Sequence, residues 1–411
     1  MNKQLENSAL IIYVGTHRLA GVLAESDGGR ILKTGEIVNP DGFQKGEVAQ
    51  IEKALISMGD LLNQLELGEA ALEIPVYVLL SNSHLKMTRF STSIYFPGYP
   101  RVVTSREVKQ VIKQTRNVAP LSLDDWVLQT VPESFWVNDL TGVEDPIGLE
   151  AQRLAVSLQI FSTRYAAIRN LSKLFESMEL NVRGYFPKTQ VLPGILNAAE
   201  KEGEVLVLEF SDDTTHLVLN RDGKLAQTKT LDFGSRFFTQ KIAEKWQISM
   251  RDAERLKEQF GSLEESLQFG DELIPLVERN GQGNHSIKRS EFHQVFFQLV
   301  EEFWNKLKKE LDALLEREKA AHCAYILTGG GAKLDGWVEF LSRKLSSRVR
   351  LATPRPVEGA SSVLLDPSWS GPLELVRWLG ETPLLRNRIT AKESVVERAI
   401  LQFKEWLVAY F

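Results

Sequence analysis

Thr328-Gly329-Gly330-Gly331-Ala332, straight after an apolar run at 325–327, is the stretch whose residue types most directly offer chemistry. Glycines let a backbone approach a ligand closely, and a helix following them would aim its amide groups at an anion. The same string also makes an ordinary tight turn, and these residues alone leave both readings open. A second string, Asn280-Gly281-Gln282-Gly283-Asn284, has a lone GxG spacing and reads as a turn between strands. Metal chemistry has little to work with, because the six histidines are scattered and form no zinc-type cluster. One cysteine, Cys323, excludes an internal disulfide framework and fits a reducing compartment.

The third candidate is a surface rather than a catalyst. In residues 394–411, Val396, Ala399, Ile400, Phe403, Trp406, Leu407, Tyr410 and Phe411 fall on one face of a helix. Glu397, Arg398, Gln402 and Glu405 fall on the other, and Ser394 with Glu397 makes a capping box. The segment is too polar to span a bilayer, and its aromatic face suits a helix lying in the plane of a lipid interface. Docking onto its own domain is the commoner fate of such a stripe. Residues 381–393, with Pro383 and several cations but no apolar period, read as a linker.

These candidates sit on a chain of 411 residues, long enough for two or more domains. Hydrophobic content of 43%, charged content of 25% and net charge −5 describe an ordinary water-soluble protein and argue against a nucleic-acid partner. Residues 1–14 lack a basic stretch, and 9–14 are too few for a signal-peptide core, so a cytoplasmic location is expected.

The elements repeat. Residues 9–14, 19–24 and 31–38 read as strands separated by turns; 47–67 has helical period, and 74–80 is a buried strand. About 195 residues later, 205–210, 215–219 and 225–231 read as three strands and 237–246 as a helix. Such self-similarity predicts a duplicated α/β fold with a ligand cleft between the copies. Between them, 83–164 differs in character, with a helix at 105–116 and alternating strands at 126–131 and 153–161. Residues 250–260 and 289–315 are amphipathic helices.

Several of these stretches resemble the FtsA family of bacterial cell-division proteins, actin-like members of the actin/Hsp70/sugar-kinase superfamily. Residues 326–336 (ILTGGGAKLDG) resemble the family's adenosine motif, and Ala253-Glu254 with Lys257 its AE-x-x-K helix. Residues 131–151 (VPESFWVNDLTGVEDPIGLEA) followed by Arg153-Leu154 resemble the subdomain inserted in this family. The resemblance implies an actin-like, ribonuclease H-type duplicated fold. Lobe 1 would take 1–82 and 165–200, the insert 83–164, and lobe 2 201–380. A partner-peptide subdomain would lie at 261–311, the linker at 381–393 and the membrane-targeting helix at 394–411. It implies a non-catalytic adaptor that tethers filaments of the tubulin-like FtsZ to the inner face of the cytoplasmic membrane. It also implies polymerisation into filaments and contact with downstream division proteins. Lys288 and Arg289 would meet the acidic C-terminal peptide of FtsZ, although Leu299 stands where the family usually has arginine. By position, a nucleotide site would include Gly15, Thr16, Arg18, Thr214, Thr215, Gly234, Glu254, Lys257, Gly329, Gly330, Gly331 and Lys333.

That site departs from the family. The first phosphate motif should read D-x-G-T-T-K, and here it is Tyr13-Val14-Gly15-Thr16-His17-Arg18, without the metal-organising carboxylate. The second should read D-I-G-G-G-T-T-D, and here it is Glu209-Phe210-Ser211-Asp212-Asp213-Thr214-Thr215-His216. A carboxylate at ~4 Å from a phosphate oxygen costs roughly 4 kcal/mol at an effective dielectric near 20. Either Asp212 and Asp213 repel phosphates in this way, or they turn outward and the loop merely closes a β-turn. ATP hydrolysis is not expected in either case, and ATP binding is left open. The competing readings are a working ATPase or phosphotransferase, and a cytoplasmic platform of an envelope machine like the type IV pilus protein PilM.

Overall fold

The structure is a computed structural model, and it describes residues 7–15, 17–26, 29–264, 272–277, 284–320 and 323–381. Thr16, the expected linker beyond residue 381 and the whole of 394–411 lie outside the described residues.

The chain packs as two compact units. In the first, Ser8–Val14 is buried throughout, with Leu10, Ile12 and Val14 packed in the unit's apolar core. It pairs antiparallel with Arg18–Glu25, which pairs antiparallel with Ile31–Val38. On its other edge Ser8–Val14 runs parallel to Val76–Leu80, and that strand runs parallel to Val182–Pro187. The helix Ile51–Gln64 lays Ala54, Met58 and Leu61 on the sheet. It is shorter than the period at 47–67 predicted. Gly42 and Gly46 hold positive φ, and a Cβ on Gly46 would sit 2.1 Å from the Ser81 carbonyl oxygen. The chain therefore makes a small hairpin, Phe43–Gln44 against Glu47–Val48, before the helix begins.

The second unit repeats this plan. Glu204–Phe210, Thr215–Arg221 and Lys224–Leu231 form an antiparallel trio, and Ala324–Thr328 with Val349–Leu351 continue in parallel from Glu204–Phe210. The strand order and the senses of pairing match those of the first sheet, as expected of a duplication. Its core is aromatic. Phe210 meets the rings of Phe303 at 5.7 Å and Trp337 at 5.0 Å, and Phe238 meets Phe303 at 5.0 Å. The 30-residue helix Arg289–Glu318 supplies Phe292, Phe296, Val300, Phe303 and Leu307 along its buried side. Aromatic pairs of this kind add about 0.5–1.5 kcal/mol each beyond area burial.

The insert is a four-stranded antiparallel sheet in the order Leu140–Val143, Asp125–Val137, Arg153–Arg164, Lys86–Tyr95. The helix Ser105–Val118 covers one face with Val108, Val111 and Ile112. Among the described residues no helix is long and apolar enough to cross a membrane. Nor do they hold a His/Cys/Asp/Glu cluster able to bind a metal ion.

The boundaries of the units differ from those read in the sequence. Residues 192–200, expected in lobe 1, belong to the second unit, whereas 357–360 and the helix Ser370–Glu381 from Pro372 onward belong to the first. Arg350 accounts for the first shift: it forks onto the Glu200 carboxylate (2.6 Å at Nη2) and reaches the Ile195 carbonyl at 3.4 Å. Leu192, Ile195 and Leu196 pack beneath it on Val205, Val207 and Val218. Backbone pairing accounts for the second, since the Ile31 amide donates to Glu358 at 2.7 Å.

The Arg350 guanidinium, by hydrogen bonding first and charge second, holds the Glu200 carboxyl below its ordinary range, while partial burial opposes it. A depressed folded-state pKa stabilises the fold above the unfolded value and ceases to do so as pH falls through the folded one. Glu200→Gln should therefore lower the urea midpoint at pH 7 and lower it less at acid pH, as the folded-state carboxyl becomes protonated. An equal loss at both pH values would show that packing, not charge, is at stake.

Candidate functional site

Each unit carries one half of the motifs expected at a nucleotide, and each half can be built from its own residues. In the first unit, Gly15 follows the strand Ser8–Val14, and its amide donates to the Arg18 carbonyl at 3.1 Å. The Tyr13 ring folds back over this loop. A Cβ on Gly15 would stand 2.7 Å from the Tyr13 hydroxyl, so glycine is required here to admit the protein's own phenol. Arg18 pairs with Glu36 at 3.4 Å, and its guanidinium lies 5.6 Å from the Tyr13 ring centroid. The Nζ of Lys188, a buried residue, lies 5.0 Å from the same centroid. The Tyr13 ring thus lies against two cations where the family motif has a carboxylate. Lys188 was not singled out from the sequence, for it is remote from the loop and carries no motif.

In the second unit, strand Glu204–Phe210 leads into residues 211–214, where the Ser211 amide donates to the Thr214 carbonyl at 3.0 Å. This bond closes the hairpin loop between the two strands, and Asp212 and Asp213 do not turn outward from it. Both grip one guanidinium: Asp212 bonds Arg236 Nε at 2.8 Å and Nη2 at 2.6 Å, and Asp213 Oδ1 lies 2.9 Å from Nε. Burial opposes the charge on Arg236, and the two carboxylates outweigh it, so its pKa is raised. The turn is also fastened through backbone. The Ser235 and Arg236 amides donate to the carbonyls of Ser211 and Asp212, each at 2.9 Å, at the start of helix Arg236–Trp246. Phe237 and Phe238 donate to Gly234 and Ser235 at 3.1 Å each. Four successive amides at a helix N-terminus, the usual anion-binding device, are thereby spent on protein carbonyls. Gly234 permits this approach, since a Cβ there would sit 2.4 Å from the Ser211 carbonyl oxygen.

The remaining substitutions are likewise satisfied internally. Ser211 donates to both oxygens of the fully buried Glu209, at 2.9 and 3.1 Å. His216 lies 3.8 Å from the same carboxylate and bonds Thr230 at 3.1 Å and Thr214 at 3.4 Å. Thr215 donates to the Phe233 carbonyl at 2.8 Å. Glu254 and Lys257 pair at 2.7 Å, and Thr239 bonds both.

In the glycine string, Gly329 has φ +92°, and a Cβ would meet Glu209 Oε1 and the Phe210 carbonyl oxygen at 2.5 Å each. A Cβ on Gly331 would come within 3.1 Å of Phe210, whereas Gly330 has room. Two of the three glycines therefore admit the neighbouring strand. Instead of a helix following directly, Gly330–Lys333 makes a single 3₁₀ turn, and the helix Trp337–Leu345 starts after Gly336. Lys333 pairs with Asp366 at 2.7 Å. Burial pushes the Asp366 carboxyl up, but Lys333 and the Ser368 hydrogen bonds hold it below its ordinary value.

At the expected peptide site, Lys288 is exposed at the N-cap of helix Arg289–Glu318. Arg289 already pairs with Glu272 at 2.6 Å and lies 5.6 Å from the Phe260 ring centroid. Leu299 is half-buried against the aromatic core.

Arg236→Ala would strand two largely buried carboxylates and should destabilise the second unit by roughly 2–4 kcal/mol. The triple change Asp212→Asn, Asp213→Asn, Arg236→Met leaves no charge unpaired and should recover most of that loss in urea unfolding. Failure to recover it would place the loss in packing of the Arg236 stem.

Comparison with known proteins gives two family matches. The family model "Cell division protein FtsA" fits residues 208–371, and "SHS2 domain inserted in FTSA" fits residues 82–162. FtsA of Escherichia coli (strain K12) is 24% identical over 378 residues, covering 89% of this chain and 89% of that protein. Among solved structures, the PilM–PilN type IV pilus biogenesis complex superposes with TM-score 0.66 at 18% identity, covering 90% of this chain and 98% of that one. MreB 5 of Spiroplasma citri bound to AMPPNP gives TM-score 0.50 at 12% identity, covering 89% of this chain and 95% of that one. At these identities the two structures speak for the fold alone, which is actin-like with an SHS2 insertion.

Proposed function

Because the chain belongs to the FtsA cell-division family, we propose that it is a non-catalytic adaptor that ties a division filament to the cytoplasmic face of the membrane. The observation that carries the non-catalytic part is the sharing of Arg236 between Asp212 and Asp213, with the adjoining helix amides consumed. Those groups do not fit a triphosphate. A phosphate entering there would face two carboxylates and would have to displace backbone bonds from Ser235 and Arg236. In the adenosine-type string, Gly329 and Gly331 are needed by the adjoining strand whether or not a nucleotide binds.

In this reading residues 394–411 lie in the lipid interface through Phe403, Trp406, Leu407 and Phe411. The FtsZ C-terminal peptide binds near Lys288, with Leu299 adding an apolar contact in place of a charged one. One short amphipathic helix holds a protein only briefly. Head-to-tail polymerisation, with the insert at 83–164 in the subunit contact, would multiply tails on one object and raise effective concentration. Such filaments would present the insert to downstream division proteins.

Arg398 and Lys404 are offset by Glu397 and Glu405, so tail binding should rest on apolar burial, at most about 1.5–3 kcal/mol per large side chain. Trp406→Glu should release the protein from neutral lipid vesicles in a sedimentation assay, and raised salt should not. Retention of the Trp406→Glu protein would remove the tail from the reading.

Calorimetric titration tests the nucleotide part. ATP and ADP should bind weakly and alike, magnesium should change neither, and phosphate release should stay at background. Tight, magnesium-dependent binding that prefers ATP over ADP would restore the ATPase reading.

A further inference from the structure

The insert's helix Ser105–Val118 carries a charge pattern that none of the preceding roles uses. At 100° per residue, Arg106, Lys109, Lys113 and Arg116 fall within about 80° of one another, a stripe roughly 15 Å long. Gln110 and Asn117 extend the same side, while Val108, Val111, Ile112 and Thr115 form the buried one. The helix's acid, Glu107, lies off the stripe and is committed to the helix's own N-terminus. Its carboxylate accepts from the Thr104 amide at 2.9 Å and bonds the Thr104 hydroxyl, which lowers its pKa.

None of the four cations forms an ion pair or a side-chain hydrogen bond among the described residues, in a chain whose net charge is −5. Two acids of the insert's sheet are engaged by other cations: Asp125 holds Lys86 at 3.0 Å and Glu133 holds Arg89 at 2.8 Å. Arg116 is half-buried, and burial alone pushes its guanidinium below the usual value with no carboxylate to offset it. Along the chain, exposed apolar residues flank the stripe on both sides. Tyr99 is 92% exposed and Val102 50% ahead of it, and Val118 is 55% exposed and Leu123 fully so behind it.

We propose that this face of the insert docks on the surface of an anionic bilayer, with the cations against lipid phosphates and Tyr99 and Leu123 entering the interface at either end. A convex helix flank lined with cations matches a flat charged surface. An extended peptide calls instead for a groove or a sheet edge. Cations against an anionic leaflet with flanking apolar residues are the electrostatic half of peripheral membrane binding. The tail at 394–411 lacks that half, and stable anchoring takes two signals. The stripe rests on the membrane reading above only in sharing the surface with the tail, and the two separate by charge.

The test uses the full-length protein and sedimentation with vesicles of phosphatidylcholine alone or with about 30% phosphatidylglycerol. For the unaltered protein, the anionic lipid should strengthen binding, and raised salt should erase that gain. Lys109→Glu with Lys113→Glu should cut binding to anionic vesicles about 30-fold or more and leave binding to neutral vesicles unchanged. Lys109→Gln with Lys113→Gln should give a smaller loss of the same kind, which keeps the test intact if the glutamate pair disturbs folding. Trp406→Glu should lower binding to both vesicle types while the gain from anionic lipid persists, so failure of the tail and failure of the stripe are distinguishable. A folded Lys109/Lys113 variant that keeps the whole gain overturns the proposal. So does one that loses only its binding to a poly-glutamate peptide, which would assign the face to an acidic polypeptide.

Discussion

Two carboxylates share one guanidinium in the second unit, and the loop that leads out of strand Glu204–Phe210 is organised by that sharing. Asp212 and Asp213 stand where glycines would be in a nucleotide-binding relative, and either one left unpaired at this depth would be costly. Arg236 answers both, and its backbone amide joins that of Ser235 in holding the turn against the helix they begin. The same contact fixes the approach of Gly234, and through Phe210 it is tied to Phe303 and Trp337 in the aromatic core. A surface turn is thereby built into the packing of the whole unit.

The substitutions around this turn are consistent with one another. Ser211 gives the buried Glu209 two hydrogen bonds that a glycine could not, and His216 supplies a third neighbour on the adjoining strand. In the first unit Tyr13 replaces a carboxylate, and its ring lies against Arg18 and Lys188. Each change removes a group suited to phosphate or metal, and each replacement finds its partner within the protein. A half-emptied ligand site would leave orphaned polar atoms at these positions. Here the neighbours close over them instead, in keeping with an interior that leaves few buried polar groups unpaired.

The insert has a different economy. Its sheet and the buried side of helix Ser105–Val118 make an independent apolar cluster around Phe135, Leu154 and Leu158. With its core so provided, the outer side of the helix carries cations that form no ion pair or side-chain hydrogen bond among the described residues. The same division holds in helix Arg289–Glu318, whose buried side is aromatic while its outer side pairs Lys306 with Glu302 and Lys308 with Asp312. Paired charges of this kind contribute a few tenths of a kcal/mol each and leave little net field. The unpaired stripe on the insert does the opposite, leaving a field available to a partner.

Strand and helix positions were legible in the sequence because each followed from a short-range period. The run read at 205–210, the helices read at 250–260 and 289–315, and the repeated order of strands all depend on which neighbours along the chain are apolar. The glycine string and the altered phosphate motifs were legible for the same reason, being contiguous. What the sequence withheld were pairings across distance. Nothing in spacing connects Asp212 to Arg236 or Tyr13 to Lys188, and Glu200 joins Arg350 across 150 residues, so the shift of 192–200 into the second unit was also out of reach. The reason is physical: local periodicity fixes which face of an element is buried, while the choice of ion-pair partner is made only when the sheets bring remote side chains within hydrogen-bonding distance. Whether an acidic loop repels a ligand or closes on its own cation was therefore decided by tertiary structure alone.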